Sequence, residues 1–429
     1  MLRMVVDWLR RHSHVNWALA DQVMVSGSNF LTGILLARYL GLEAFGVFTL
    51  AWMAVLFVNS IQFSLISSPM MSIGPKQAED KQPAYYGAVL LQQLIFSMFS
   101  AALMLMGIAA SARLFPEWGV EPLIWPLVAA SLAFQVQDFI RRYFFTCGRS
   151  TVAFINDAVS YLGQIAVLAW LVFETTLTSA IALWTIAATS VLAIILGFSS
   201  FESLRVDRTI FRQTLQRHWV FSKWLTASAL LQWASGNLFI VAAGSVLGAA
   251  AVGAMKAAQN IVGVTHILFQ GLENIVPIQA SRHFSSGGMA SLTRYLRKVT
   301  IAAAIFVIPL LVLALVFPAF WLELVYGAEY AEYAFVLQWY AVIYVVMLIV
   351  MPLRIALRAQ ENTRPIFQAY LAMSIFSVVC ALPAATYLGL HGVLAGILVT
   401  YMLLMTITWR SLLAASGRFE YRSPADLGR

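Results

Sequence analysis

Between Leu247 and Gln270 the chain carries one formal charge, that of Lys256, in a run of apolar and small residues. An ammonium there, together with Arg38 near the end of an earlier apolar run, suits a phosphate or diphosphate held by charge-assisted hydrogen bonds. The competing reading of both is a long side chain whose stem lies in lipid while its head snorkels to the interface. Polar groups stand around them at helical spacing. Gln22, Ser26, Asn29 and Gly33 recur on one face, with Asp21, Ser28 and Thr32 alongside. Lys256, Asn260, Gly263, Gln270 and Asn274 recur on another, with Gln259, His266 and Glu273 close by. Asn59 and Gln62, then Ser228, Gln232 and Ser235, extend the set. Asn29, Asn260 and Gln270 join Arg38 and Lys256 as candidate substrate-binding residues. Asp21, Glu273 and His266 are the groups able to carry a coupling proton or cation. Single serines and threonines in such places commonly bond neighbouring helices. Whole polar faces are expected to line a watery cavity.

A second basic group, Arg141, Arg142, Arg149, Arg354 and Arg358, closes two further apolar runs. Arg142 and Arg354 are candidates for an electrostatic mouth that receives an anionic lipid head group, although topology alone would also place arginines there. Asp138 precedes Arg142 by four residues, the spacing of a helical ion pair. Asp157, beside Asn156 near the start of its run, is expected at a helix N-terminus, where a carboxylate is favoured.

The elements that must position these groups follow from composition. Hydrophobic residues make up 61% of the 429 and charged residues 11%, far above the apolar share of soluble domains. Twelve apolar runs are each long enough to span a bilayer as a helix. The sequence therefore predicts an all-α polytopic membrane protein with 12 transmembrane helices. Of the lysines and arginines, all but Arg38, Arg113 and Lys256 fall in the even-numbered connections or the termini. The positive-inside rule then predicts cytoplasmic N- and C-termini. The net charge of +8 reports this topology, and no nucleic-acid partner is expected. Two lone cysteines give neither a disulfide framework nor a metal site.

The longest connection divides the runs six and six. The expected organisation is an interfacial amphipathic helix (1–16), an N-terminal six-helix bundle (17–200), a cytoplasmic linker (201–219), a C-terminal six-helix bundle (220–412) and a cytoplasmic tail (413–429). At an offset of 207, "LGLEAFG" (Leu40 to Gly46) falls on "LGAAAVG" (Leu247 to Gly253), and "RRYFFTCGRST" lies beside "LRIALRAQENT" after runs four and ten. Both halves enter from the same side, so the repeats are parallel, and a substrate path between them is expected.

These motifs, the Gly-x4-Gly turn after run one and the "GRS" turn after run four, resemble the multidrug/oligosaccharidyl-lipid/polysaccharide (MOP) superfamily. "LLARYLGLEAFGVFTLAW" looks most like its polysaccharide transporter branch, the Wzx-like lipid-linked oligosaccharide flippases. The resemblance implies a V-shaped transporter of two parallel six-helix bundles. It implies a flippase that moves an undecaprenyl-diphosphate-linked oligosaccharide across the bacterial cytoplasmic (inner) membrane for surface polysaccharide assembly. Its partners would be that anionic lipid, membrane lipids, and a polysaccharide polymerase and glycosyltransferases. A drug/cation antiporter of the same superfamily and a non-transporting scaffold of a polysaccharide synthase complex are the alternatives. No catalytic motif or nucleotide-binding loop is present. An enzyme is not expected, no cofactor is expected, and any driving force would be a gradient, with H+ or Na+ as the coupling ion.

Overall fold

The computed structural model describes residues 13–114, 119–201, 204–205 and 207–420, and among them it contains helices and no strands. Helix α1 is Ser13–Leu40. α2 runs through Leu42–Gln62, a π turn at Phe63–Ser67 and Ser68–Ile73. α3 is Gln82–Leu114 and α4 is Ile124–Thr146. α5 joins Ser150–Asp157, a second π turn at Ala158–Leu162 and Gly163–Glu174. α6 is Ser179–Phe198 and α7 is Arg208–Leu247. The helical stretch Ala249–Val316 is broken at Gly287 and Gly288, which gives α8 (249–286) and α9 (289–316). A short helix, Pro318–Tyr326, precedes α10, Ala334–Ala359. The stretch Arg364–Glu420 is broken at Gly389, which gives α11 (364–388) and α12 (390–420). With those breaks counted, the described residues form twelve long helices. The chain is a multi-pass membrane protein.

The expected amphipathic segment lies outside the described residues up to position 12, and from Ser13 it is continuous with α1. The expected linker is helical from Arg208 onward, where Asp207 accepts from the backbone N–H groups of Thr209 and Ile210 and so caps α7. The tail is helical to Glu420.

The turn after α1 shows why small residues sit there. Gly41 has φ 79° and ψ 168°, and Gly248 after α7 has φ 88° and ψ 173°. A Cβ is excluded from that region, so only glycine reverses the chain this tightly. The two repeat-related residues share one backbone conformation. Arg38 in the last turn of α1 and Glu43 in the first turn of α2 each have the sign that complements their helix end.

The chain divides into two compact units, Met1–Leu230 and Leu231–Arg429. In the first, α4 packs against α3, α5, α6 and α2. A core of Ile66, Met70, Tyr86, Val89, Phe139, Tyr143 and Phe144 closes the end of α4 that carries the 143–149 turn. The first half of α7 belongs to this unit: Tyr85 and His218 share a hydrogen bond of 2.9 Å, and Ser64 and Thr226 one of 3.1 Å. In the second unit α10 is central, packed against α8–α9 on one side and α11–α12 on the other. The second half of α7 belongs there, with Ser374 donating to the Leu231 carbonyl at 2.7 Å.

Candidate functional site

α1 turns two polar faces to different surroundings. Asp21, Val25, Ser28, Thr32 and Leu36, at helical spacing, are buried inside the first unit, and Gln164 donates to Thr32 at 3.1 Å. Gln22 and Asn29 are exposed, and Gln22 donates to Ser26 at 3.1 Å. The single polar face expected from the sequence is thus two, because Asp21 and Gln22 lie about 100° apart around a helix.

Asp21 anchors a charged interior site. Arg141 Nη2 of α4 donates to Asp21 Oδ2 at 2.6 Å. Arg141 Nε lies 2.5 Å from Asp157 Oδ2 of α5, an ion contact without hydrogen-bond alignment. Gln137, one turn before Arg141, donates to Asp157 Oδ1 at 2.7 Å. Both carboxylates are fully buried, and Asp21 Oδ1 has no hydrogen-bond partner among the described residues. Asn156 bonds the Ala193 carbonyl at 2.5 Å, which fixes α5 to α6 beside the site. The π turn begins at the next residue after Asp157, the kind of local insertion that frequently accompanies functional sites. Two carboxylates share one guanidinium, so the site has a formal surplus of one negative charge.

This overturns two expectations. Arg141 is an interior residue of the first unit and not part of a surface mouth. Asp157 ends the segment Ser150–Asp157 and does not stand at its N-terminus. Arg149 is likewise committed, donating to the Ser200 carbonyl at 2.5 Å and lying over the Phe144 ring.

The other sequence-selected residues fall out as follows. Arg142 pairs with Asp138 at 2.8 Å, as its i,i+4 spacing implies, and stacks over Phe63 at 4.3 Å. Arg354 pairs with Glu273 at 3.1 Å. Lys256 is half-buried and donates to Gln259 Oε1 at 3.3 Å. Asp21 is held by Arg141, and Glu273, paired with Arg354, lies seventeen residues beyond Lys256 on the same helix, about 25 Å at 1.5 Å per residue. Asn260 is half-buried, its Nδ2 lacks a partner among the described residues, and its side chain lies by the Tyr326 hydroxyl. Arg38 and Asn29 are exposed on α1. The side chains of His266 and Gln270 lie outside the described residues.

Gln62, also read as cavity-lining, is buried in the first unit. It donates to Gln93 at 2.8 Å and to Ser67 at 3.0 Å, and Gln93 donates to Ser97 at 2.9 Å. The Gln62–Gln93 bond ties α2 to α3, an interhelical contact worth about 0.6 kcal/mol in membranes.

Hydrogen bonds after α4 and α10 also correct the repeat register. Gly148 N–H bonds Phe145 O and Arg149 N–H bonds Phe144 O; Glu361 N–H bonds Arg358 O and Asn362 N–H bonds Leu357 O. These are matching Schellman closures. Gly148 and Glu361, at φ 72° and 58°, are therefore equivalent. One residue of shift makes Arg141, not Arg142, the counterpart of Arg354. Both counterparts pair with an acid on another helix.

The MatE family profile matches residues 225–388. An inward-facing multidrug resistance MATE family transporter of the MOP superfamily superposes with a TM-score of 0.75 at 13% identity, covering 94% of this chain and 96% of that one. The lipid II flippase MurJ, in an inward closed conformation, gives 0.68 at 13% identity, covering 93% and 87%. A MOP superfamily transporter from Pyrococcus furiosus gives 0.57 at 15% identity, covering 95% and 92%. This chain has their fold. No curated protein matches the sequence.

Proposed function

We propose that this protein is a flippase for an anionic lipid-linked oligosaccharide in the bacterial cytoplasmic membrane, working by alternating access in surface polysaccharide assembly. One observation carries the reading. Among the described residues, the four acids that stand away from the helix ends or inside the Arg141 site, Asp21, Asp138, Asp157 and Glu273, each lie within 3.1 Å of an arginine. Lys256 instead has a neutral amide for its neighbour. A charge within a span is retained at a cost of about 2.5–3.5 kcal/mol at the bilayer centre, less at shallower depth. A cation kept there without an acid suits a substrate that brings its own negative charge, such as a diphosphate. The half-buried Asn260, one turn along α8 from Lys256, supplies a further donor for phosphate or sugar oxygens. The likeness to a lipid II flippase supports the same class of substrate.

The Asp21–Arg141–Asp157 site is the coupling site in this reading. Its surplus negative charge would be neutralised by one proton or one small monovalent cation, and the loss of that ion would favour rearrangement of α1 against α5.

A drug/cation antiporter is the second reading, favoured by the MatE match and by that same surplus carboxylate. Proteoliposomes separate the two. The flippase reading expects a polyprenyl-diphosphate-linked sugar to become accessible to an external glycosidase, faster under an imposed proton or sodium gradient, with no transport of lipophilic cationic dyes. Dye efflux without lipid translocation would establish the antiporter instead.

A further inference from the structure

The first unit holds a groove of about 610 Å³ between the end of α2 and the start of α7, and none of its lining residues belongs to the acid–arginine site. Its floor is apolar, from Ile73, Val220 and Phe221, and its rim carries Lys76, Arg217 and Gln213. The α7 contributors, at positions 213, 217, 220 and 221, share a helical face. Thr214, His218 and Ser222 point the other way and are buried against the unit. From Gln213 to Phe221 the wall changes from polar to apolar over about 12 Å. That is the distance from a bilayer's head-group layer into its hydrocarbon. Trp219 and Trp224, 59% and 74% exposed, flank the groove on the same helix and are the residue type that settles at this depth. Among the described residues, neither Lys76 nor Arg217 makes an ion pair. Both are exposed on the rim.

From this juxtaposition we infer that the groove is a binding site for an anionic glycerophospholipid, with the phosphate between Lys76 and Arg217 and the first acyl carbons on Ile73, Val220 and Phe221. Two cations set one turn above an apolar floor complement a lipid better than a soluble phosphate, which would leave the floor bare. The volume is in the range of sites that enclose a head group of this size. Because the groove joins α2 to α7, a bound lipid would brace the start of α7 on the first unit. None of the groove's lining residues is among the proposed substrate-binding residues, so the site stands or falls independently of the transported species.

The test is binding of phosphatidylglycerol to delipidated full-length protein in detergent, read by native mass spectrometry and by the rise in melting temperature. Phosphatidylcholine, which carries the same phosphate with a compensating cation, is the comparison. Phosphatidylglycerol should bind at least ten-fold more tightly than phosphatidylcholine. The K76Q/R217Q variant should bind it about 30-fold more weakly, about 2 kcal/mol at 1.4 kcal/mol per tenfold, the size expected of two basic side chains at a membrane surface. R294Q/R297Q, which removes the same charge from α9, should bind as wild type. Equal binding of the two lipids, or wild-type binding by K76Q/R217Q, would overturn the assignment. So would displacement of phosphatidylglycerol by glycerol 3-phosphate at similar concentration, which would mark a soluble-phosphate site, or by a polyprenyl diphosphate at lower concentration, which would mark a substrate entry.

Discussion

Replacing Arg141 by methionine should do far more damage than replacing either acid it serves. The guanidinium lies 2.6 Å from Asp21 and 2.5 Å from Asp157, with both carboxylates fully buried. Arg141→Met leaves two carboxylates facing one another without a counter-charge. Removing one partner of a buried pair costs about 3–5 kcal/mol. At about 2–4 °C per kcal/mol for a domain of 150–250 residues, the melting temperature should fall by about 6–20 °C. Asp157→Asn removes the surplus charge and leaves a balanced Asp21–Arg141 pair, with an amide still able to meet Gln137. Its effect should stay within about 1 kcal/mol, or a few degrees. The triple change Asp21→Asn, Arg141→Met, Asp157→Asn leaves no charge at all and should recover most of the loss, since buried ion pairs replaced as a set are often near neutral. Melting of the purified full chain, followed by fluorescence in one detergent, measures all three. An Asp157→Asn protein as unstable as Arg141→Met, or a triple variant no better than Arg141→Met, would refute the charge count on which the site rests.

The repeat turns give a paired test: Gly41→Ala and Gly248→Ala should each cost about 1–3 kcal/mol, because φ near 80° with ψ near 170° is a region held only by glycine. Asparagine, which tolerates the left-handed helical region, should not rescue either turn, and melting curves decide. Gly87→Ala would drive a Cβ into the Arg205 carbonyl oxygen, a backbone atom that cannot rotate aside. It should dislodge the segment that bonds back to Pro83 at 3.1 Å, exposing it to limited proteolysis at a cost of about 1–3 kcal/mol. For orientation, single cysteines at Ser285 and Ala328 should react with impermeant thiol reagents only from the cytoplasm and only from outside, respectively. Labelling of Ser285 from outside would reverse the topology.

The spans themselves were legible in the sequence, since hydropathy depends on composition and not on partners. So was the Asp138–Arg142 pair, because helical spacing is local. The turns at Gly41 and Gly248 were readable for a different reason: a backbone region that admits one residue type leaves its mark in sequence. What escaped was contact between distant helices. Arg141 meets Asp21 across 120 positions. Nothing local distinguishes its side of α4 from that of Arg142, so the sequence alone does not separate the buried arginine from its neighbour. The nearest available signal was Gln137 one turn before Arg141, a polar pair on a face that topology alone does not require. The π turns after Gln62 and Asp157 were invisible, because inserting one residue into a helical turn changes neither composition nor hydropathy. The register of the second repeat was also hidden. The residue at the closing position after α10 is Glu361, where a glycine matching Gly148 would have fixed it.

The most direct test of the central claim, that an unneutralised cation in the spans selects an anionic lipid-linked substrate, is the translocation rate of Lys256 variants in proteoliposomes carrying a polyprenyl-diphosphate-linked sugar. A hydrogen bond to a charged group contributes about 1.5–3 kcal/mol, so Lys256→Ala should insert normally yet translocate about 10- to 150-fold more slowly at limiting substrate. Lys256→Arg, which keeps the charge, should retain part of the rate. A normally inserted Lys256→Ala protein that moves the lipid at the wild-type rate would contradict the account.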